Sequence, residues 1–279
     1  MAPWSREMPN RGSELACMGA RETTMGGQMT SKAVAMFVVG VCIMAWGCGV
    51  STQQAEAQFR IVEEISIAPG TVEEFEAASK DRTARMGAGN VTFSRLVSVT
   101  NDNVYRFLTL LGEDFSSVGE WREQIAAMPA GSTPGRAAGI IDHIDRAIWQ
   151  SQPDISHVPE SPRLENDEIG FVHVIRLYPK FGAIGDVVEV LQRITALNVS
   201  SNLNSRRLVA ELVVGPETPV LSVTWVARDR EDYYAQRAQD GEAMGEEFQE
   251  LVNQLLRLCR KFERQDYTAR QDLGYQPSN

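Results

Sequence analysis

Three histidines are the whole imidazole supply of this chain: His143, His157 and His173. No His-x-x-x-His or Cys-x-x-Cys spacing occurs, so no metal site is predicted. His173 has the most chemical promise, because it sits inside the apolar run FVHVIRLYP and alternation puts it on one face with Phe171, Ile175 and Leu177. A buried neutral imidazole can serve as a general base or as an axial haem ligand. It can equally be a core histidine satisfied by one hydrogen bond, which is the commoner role. His143 and His157 flank a strand and read as solvent-facing. The order His143-Ile144-Asp145 puts two polar side chains on one side merely through strand pleat.

No G-x-S-x-G elbow, Walker loop or G-x-G-x-x-G fingerprint is present, which argues against a conventional hydrolase, a nucleotide enzyme or a Rossmann oxidoreductase. A formal net charge of −10 over 279 residues repels a phosphate backbone or an anionic bilayer, so nucleic acid is not an expected partner. With 43% hydrophobic and 23% charged residues the chain is ordinary for a globular protein.

The elements that must position His173 repeat. FERQDYTARQDLG, from Phe262 to Gly274, is echoed without a gap by IDRAIWQSQPDIS, from Ile144 to Ser156, 118 positions earlier. Ahead of the first echo, Phe59 to Ala68 reads as a strand ending at Pro69-Gly70. Thr71 with Glu74 forms a capping-box pattern opening a helix to Met86. Strands follow at Val91 to Thr100 and Val104 to Gly112 around Asn101-Asp102-Asn103, then a helix from Asp114 to Met128 and a short one from Gly135 to His143. Pro153 to Gly170, with three prolines, reads mostly as an extended linker.

The second copy has a strand at Phe171 to Pro179, a helix at Asp186 to Leu197, and strands at Leu208 to Val214 and Val220 to Ala227. Two helices divided at Gly241 precede its last strand. The expected organisation is residues 58–156 and 171–279 as two βαββαβ units joined by 157–170. Glu63 then occupies the first-unit place of His173, and Trp149 and Tyr267 hold equivalent places on the last strands. Together with Trp225 these residues are candidates to line an interior pocket, although core packing is the commoner use of such side chains.

Strands such as FVHVIRLY and VLSVTWVA are apolar on both faces, so the second sheet face needs a cover, and two tandem units can supply it to each other. The segments VEEISIAPGTVEEFEAA at Val62 to Ala78 and VHVIRLYPK at Val172 to Lys180 resemble the dimeric α+β barrel superfamily, which contains the antibiotic-biosynthesis-monooxygenase-like domains, here in a fused form. The resemblance covers Phe59 to Gly274 and implies an α+β fold of two ferredoxin-like units forming one pseudo-dimeric barrel, monomeric or weakly dimeric. Superfamily members include monooxygenases, haem-degrading enzymes, haem-dependent dismutases and proteins without known chemistry, so the fold transfers no single activity. Those that degrade haem usually place their histidine on a helix, whereas this chain has none in mid-helix and only His143 near a helix end. The expected function is binding of a small apolar or amphipathic ligand between the two sheets. The alternative is a monooxygenase-like or haem-handling enzyme with His173 as ligand or base.

Residues 1–57 read as a targeting segment, with Met1 to Gln28 as an upstream extension. The run Ala33 to Val50 is almost wholly apolar, Lys32 precedes it, and Ala55-Glu56-Ala57 supplies small residues for cleavage. The alternatives are a membrane tether through residues 33–50 and lipidation at Cys48, where Ala45 and Trp46 fit the lipidation pattern poorly. Removing 1–57 takes away four basic and four acidic residues, so the charge stays at −10. N-terminal sequencing of exported material should begin at Gln58; retention of Met1 or Met29, or lipid on Cys48, contradicts cleavage there.

Overall fold

A computed structural model describes residues 57–129 and 139–277. The first half runs β1 (Phe59–Ile67), α1 (Val72–Ala88), β2 (Arg95–Val99), β3 (Val104–Leu110), α2 (Ser117–Ala127) and β4 (Ile141–Ser151). The second runs β5 (Phe171–Pro179), α3 (Ile184–Ser200), β6 (Arg207–Val214), β7 (Leu221–Ala227), α4 (Arg230–Leu258) and β8 (Cys259–Ala269). All neighbouring strands are antiparallel, and they close into a barrel in the order β1-β3-β2-β8-β5-β7-β6-β4. Each half therefore keeps the ferredoxin-like order, and the two sheets join at β2–β8 and β6–β4. This is the pseudo-dimeric α+β barrel expected from the sequence.

Closure explains why the strands are apolar on both faces. On β1, Ile61, Ile65 and Ile67 point outward under α1 and α2, while Val62 points into the lumen against Trp149, Tyr178 and Leu212. On β5, Leu177 points outward into a core with Val187, Leu191, Leu221 and Leu251. Period-2 alternation thus separates two environments along every strand. The lumen is not purely apolar: Glu64 pairs with Arg176 and accepts from the Tyr267 hydroxyl at 2.9 Å, and Tyr178 donates to Glu263 at 2.5 Å.

The two echoed segments acquire a shared purpose. After β4 the chain enters a 3-10 turn at Pro153–Ile155, and after β8 it enters one at Gln271–Leu273. Each turn crosses to the opposite half. Ile155 is buried in the core beneath α3, and Leu273 in the core beneath α1. A buried arginine clasps each strap. Arg207 Nη2 donates to the Ile155 carbonyl at 3.2 Å and to Thr195 Oγ1 at 2.5 Å, and Arg95 Nη2 donates to the Leu273 carbonyl at 3.3 Å and to Thr83 Oγ1 at 2.8 Å. Backbone bridges His157↔Arg207 and Arg95↔Tyr275 continue both straps.

Several local expectations change. Ile141–His143 extend β4 and are not helical, because they must pair with Ile67 and Ser66 of β1; the remainder of the predicted 135–143 helix lies mostly outside the described residues. The stretch 157–170 is docked: His157 and Leu164 are buried, and Glu165 and Glu168 cap a 3-10 turn at Asn166–Glu168. His157 is therefore not solvent-facing; its Nε2 lies 2.9 Å from the Leu203 carbonyl, whereas the His143 side chain is 66% exposed. Thr71 does not cap α1 with its side chain, since its hydroxyl donates backward to Ala68 O at 2.9 Å. The break in α4 falls at Gly245, whose φ of +67° suits glycine, and not at Gly241. The segment 1–57, expected to be a targeting sequence, lies almost entirely outside the described residues, and among those described no helix is long and apolar enough to cross a membrane.

Replacing Arg207 by Gln should cost about 2 kcal/mol in urea unfolding, the range for losing charged hydrogen bonds at a buried site. Thr195→Val should cost about 1 kcal/mol. An Arg207→Gln midpoint equal to wild type would contradict the clasp.

Candidate functional site

Strand parity sends the five residues singled out in the sequence to three places. His173 and Trp225 are cross-strand partners on the outward face of the second half. Glu63 is on the outward face of the first half, where Arg146 Nε donates to it at 2.9 Å. Trp149 and Tyr267 face the lumen. The pocket expected between the sheets does not gather them, because residues one position out of phase on a strand lie on opposite sides of the barrel wall.

The cavity that His173 and Trp225 do share has a volume of about 370 Å³ and lies between the outward sheet face of the second half and helices α3 and α4. This is near the lower end of the range for sites that take drug-sized molecules. Its floor is Ile175, Leu177 and Val223 from β5 and β7; Leu191 and Ile194 of α3 and Phe248 and Leu255 of α4 form the walls. The kink at Gly245 lets one helix serve twice, with Tyr233, Tyr234 and Arg237 lining the cavity before it and Phe248, Gln249 and Val252 after it.

His173 owes its chemistry to β8. The β5–β8 register places it opposite Asp266, and Nδ1 and Oδ1 are 2.6 Å apart. Arg230 holds the other carboxylate oxygen at 2.9 Å. The Tyr233 ring stacks on the imidazole at 4.6 Å and 27°, and Trp225 lies 6.0 Å away. Burial lowers the imidazole pKa below its ordinary value, and this outweighs the opposing pull of Asp266; the charges of Arg264 and Arg237 push the same way as burial. At neutral pH the ring is therefore uncharged. Donating Nδ1–H to Asp266 leaves Nε2 with a free lone pair, the arrangement of an oriented base or ligand.

Three guanidinium groups border the same space. Arg237 lies over the rings of Trp225 and Phe248, at 5.2 and 5.5 Å. Arg207 is 4% exposed, and burial brings its pKa down to about 9, which still leaves it cationic at neutral pH. Its Nε has no hydrogen-bond partner among the described residues. Arg264 projects from β8 at the exposed side. Buried Asn198 adds an amide, and Tyr233, its pKa pushed up to about 12 by burial, remains a neutral phenol. Among the described residues no group of three His, Cys, Asp or Glu side chains is placed to hold a metal.

Sequence reasoning found His173 and Trp225 but missed Asp266, Tyr233, Arg207 and Arg237. Only one signal pointed to Asp266: as part of the echoed segment it belongs to a strand that pairs with β5 in the ferredoxin-like order. The first half builds no comparable pair, since Glu63, the counterpart of His173, is neutralised by Arg146.

No family model matches the chain, and no curated protein matches it. Its fold does match solved structures. An anthrone oxidase-like protein superposes with a TM-score of 0.52 at 10% identity, covering 76% of this chain and 91% of its own. A candidate monooxygenase from Lactobacillus acidophilus gives 0.48 at 8% identity over 80% of this chain and 97% of that one. Chlorite dismutase from Candidatus Nitrospira defluvii gives 0.48 at 10% identity over 77% and 93%. At such identities the likeness concerns the fold alone: this chain has the dimeric α+β barrel fold.

The depressed pKa of His173 makes stability pH-dependent. As pH falls below about 6.5, the unfolded chain binds a proton that the folded imidazole resists, so stability declines until the folded ring titrates as well. Urea midpoints measured from pH 7.5 to 5 should fall less steeply in His173→Gln than in wild type. Equal slopes would show that the ring is not depressed.

Proposed function

We propose that the protein binds a small amphipathic anion of aromatic character in the second-half cavity, with its apolar body on Ile175, Val223 and Phe248 and its charge toward Arg207 and Arg237. The observation that carries this reading is the convergence of cationic side chains on an apolar cavity of about 370 Å³ in a chain whose net charge is −10. Stray anions are repelled by the average field, so local positive potential inside a greasy pocket selects an anion with enough apolar surface to displace water. Both halves come from one chain, so the reading needs no second copy. The leader pattern at 1–57 supports reading it as an exported binding protein.

A second reading is favoured by one specific observation, the His173–Asp266 pair. It supports a monooxygenase-like enzyme in which Nε2 of His173 accepts a proton from an acidic C–H or O–H of the bound molecule while Asp266 stabilises the resulting imidazolium. The same pair fits the chemistry of an axial haem ligand, which a carboxylate on Nδ1 would orient; bound there, haem would supply redox chemistry.

Anilinonaphthalene sulfonate is an amphipathic aromatic anion that reports its own burial by fluorescence. It should bind the wild type at one site, and Arg237→Gln should weaken it about tenfold, equivalent to about 1.4 kcal/mol. His173→Gln should change that affinity little. Equal affinity for a neutral analogue lacking the sulfonate would defeat the anion reading. Haemin titration separates the second reading: a Soret band in wild type that vanishes in His173→Gln would establish ligation.

A further inference from the structure

The barrel lumen holds buried hydrogen-bond donors that the described side chains do not satisfy. The side chain of Arg60, on the inward phase of β1, forms no hydrogen bond or ion pair among the described residues. Its register partners are Trp149 on β4 and Leu110 on β3, so guanidinium and indole share one patch of the inner wall. Trp149 is 6% exposed, and its Nε1 donor has no acceptor among the described residues. Arg106 on β3 is 8% exposed, and its Nε is also without a partner. It approaches Glu64 only at 3.9 Å, beyond hydrogen-bond reach, because that carboxylate is already engaged by Arg176 and by the Tyr267 hydroxyl. Arg106 lies on the same wall, four register positions along the β1–β3 ladder; burial and its positive charge lower the Arg60 pKa to about 10.

Buried donors without acceptors are rare in folded proteins, and each costs about 1–3 kcal/mol unless something accepts from it. Two arginines in mutual repulsion add to that cost. Water can accept from two donors at most and cannot cancel charge. We propose that the lumen holds a small oxyanion, a carboxylate or a phosphate-like group, between Arg60, Arg106 and the Trp149 indole N–H. An oxyanion presents several acceptor oxygens to donors arriving from different strands and neutralises both cations at once. Val62 and Leu108 form the apolar wall beside Trp149. Arg60 is only half-buried, so the site opens at the end of the barrel where β1 begins and β4 ends. This site is separate from the helix-covered cavity, with which it shares no residue.

The indole N–H resonance of Trp149, identified in the full chain by its loss in Trp149→Phe, provides a direct probe. Inorganic phosphate and, separately, acetate are titrated at constant ionic strength against chloride. At least one of them should move that resonance saturably, leave the indole resonance of Trp225 in place, and bind at least tenfold more weakly to Arg60→Gln. Thermal unfolding provides an independent measure, and the same anion should raise the wild-type Tm more than chloride does. A resonance that does not saturate, or an equal affinity in Arg60→Gln, would mean an adventitious ion only and overturn the proposal. Should Arg60→Gln fail to fold, a Tm gain in wild type that Trp149→Phe retains in full would overturn it as well.

Discussion

Two buried arginines hold the molecule's halves to each other. The β2–β8 seam has a ladder register of only two residue pairs, Ser98↔Ala269 and Val99↔Thr268, too little to secure a closed barrel by strand pairing. The straps after β4 and β8 make up the deficit. Each carries an apolar residue, Ile155 or Leu273, into the opposite core, and each delivers its carbonyl to a guanidinium that is bound in turn to a threonine of the neighbouring helix. A charged donor is suited to this task because it reaches two acceptors from one buried position. The cost is desolvation, visible in the lowered pKa of both arginines, to about 9 in each case. Their Nε atoms remain unpartnered, so the clasp is not fully satisfied.

Pseudo-symmetry makes the departures from symmetry informative. Both halves have a strand, helix and clasp in corresponding places, yet one ionisable position has diverged. Glu63 meets Arg146 and becomes half of an ion pair, whereas His173 meets Asp266 and becomes an oriented neutral imidazole. Around the histidine, the long kinked α4 arches over the sheet and leaves a cavity lined by rings and guanidinium groups. The second half therefore carries the chemically equipped surface, and the first half supplies the scaffold that closes its sheet. The lumen between them is a separate compartment with its own charges.

Much of the fold was legible in the sequence because strands, turns and helix starts are written in local chemistry. Pro69-Gly70 stops β1, the Asn-rich turn joins β2 to β3, and two-sided apolar strands demand a cover on both faces. The echo between Ile144–Ser156 and Phe262–Gly274 marked the segments that strap the barrel together, although their role was not visible. The α4 break was expected at Gly241 and occurs at Gly245, since choosing between two glycines depends on which backbone position must take positive φ. Likewise, the burial of His157 could not be read from its proline-rich surroundings.

The sequence by itself determined the order of strands and helices and the burial of His173, which follow from neighbours within a few residues, and the tandem repeat and acidic charge, which need only the chain compared with itself and counted. Tertiary structure alone decided what those residues meet. Register across strands 93 positions apart gave His173 its carboxylate, and the phase of each strand sent Trp225 and Trp149 to opposite sides of one wall. The reason is geometric. A strand's alternation is local, but which face becomes lumen, and which residue stands opposite, is settled only when the barrel closes.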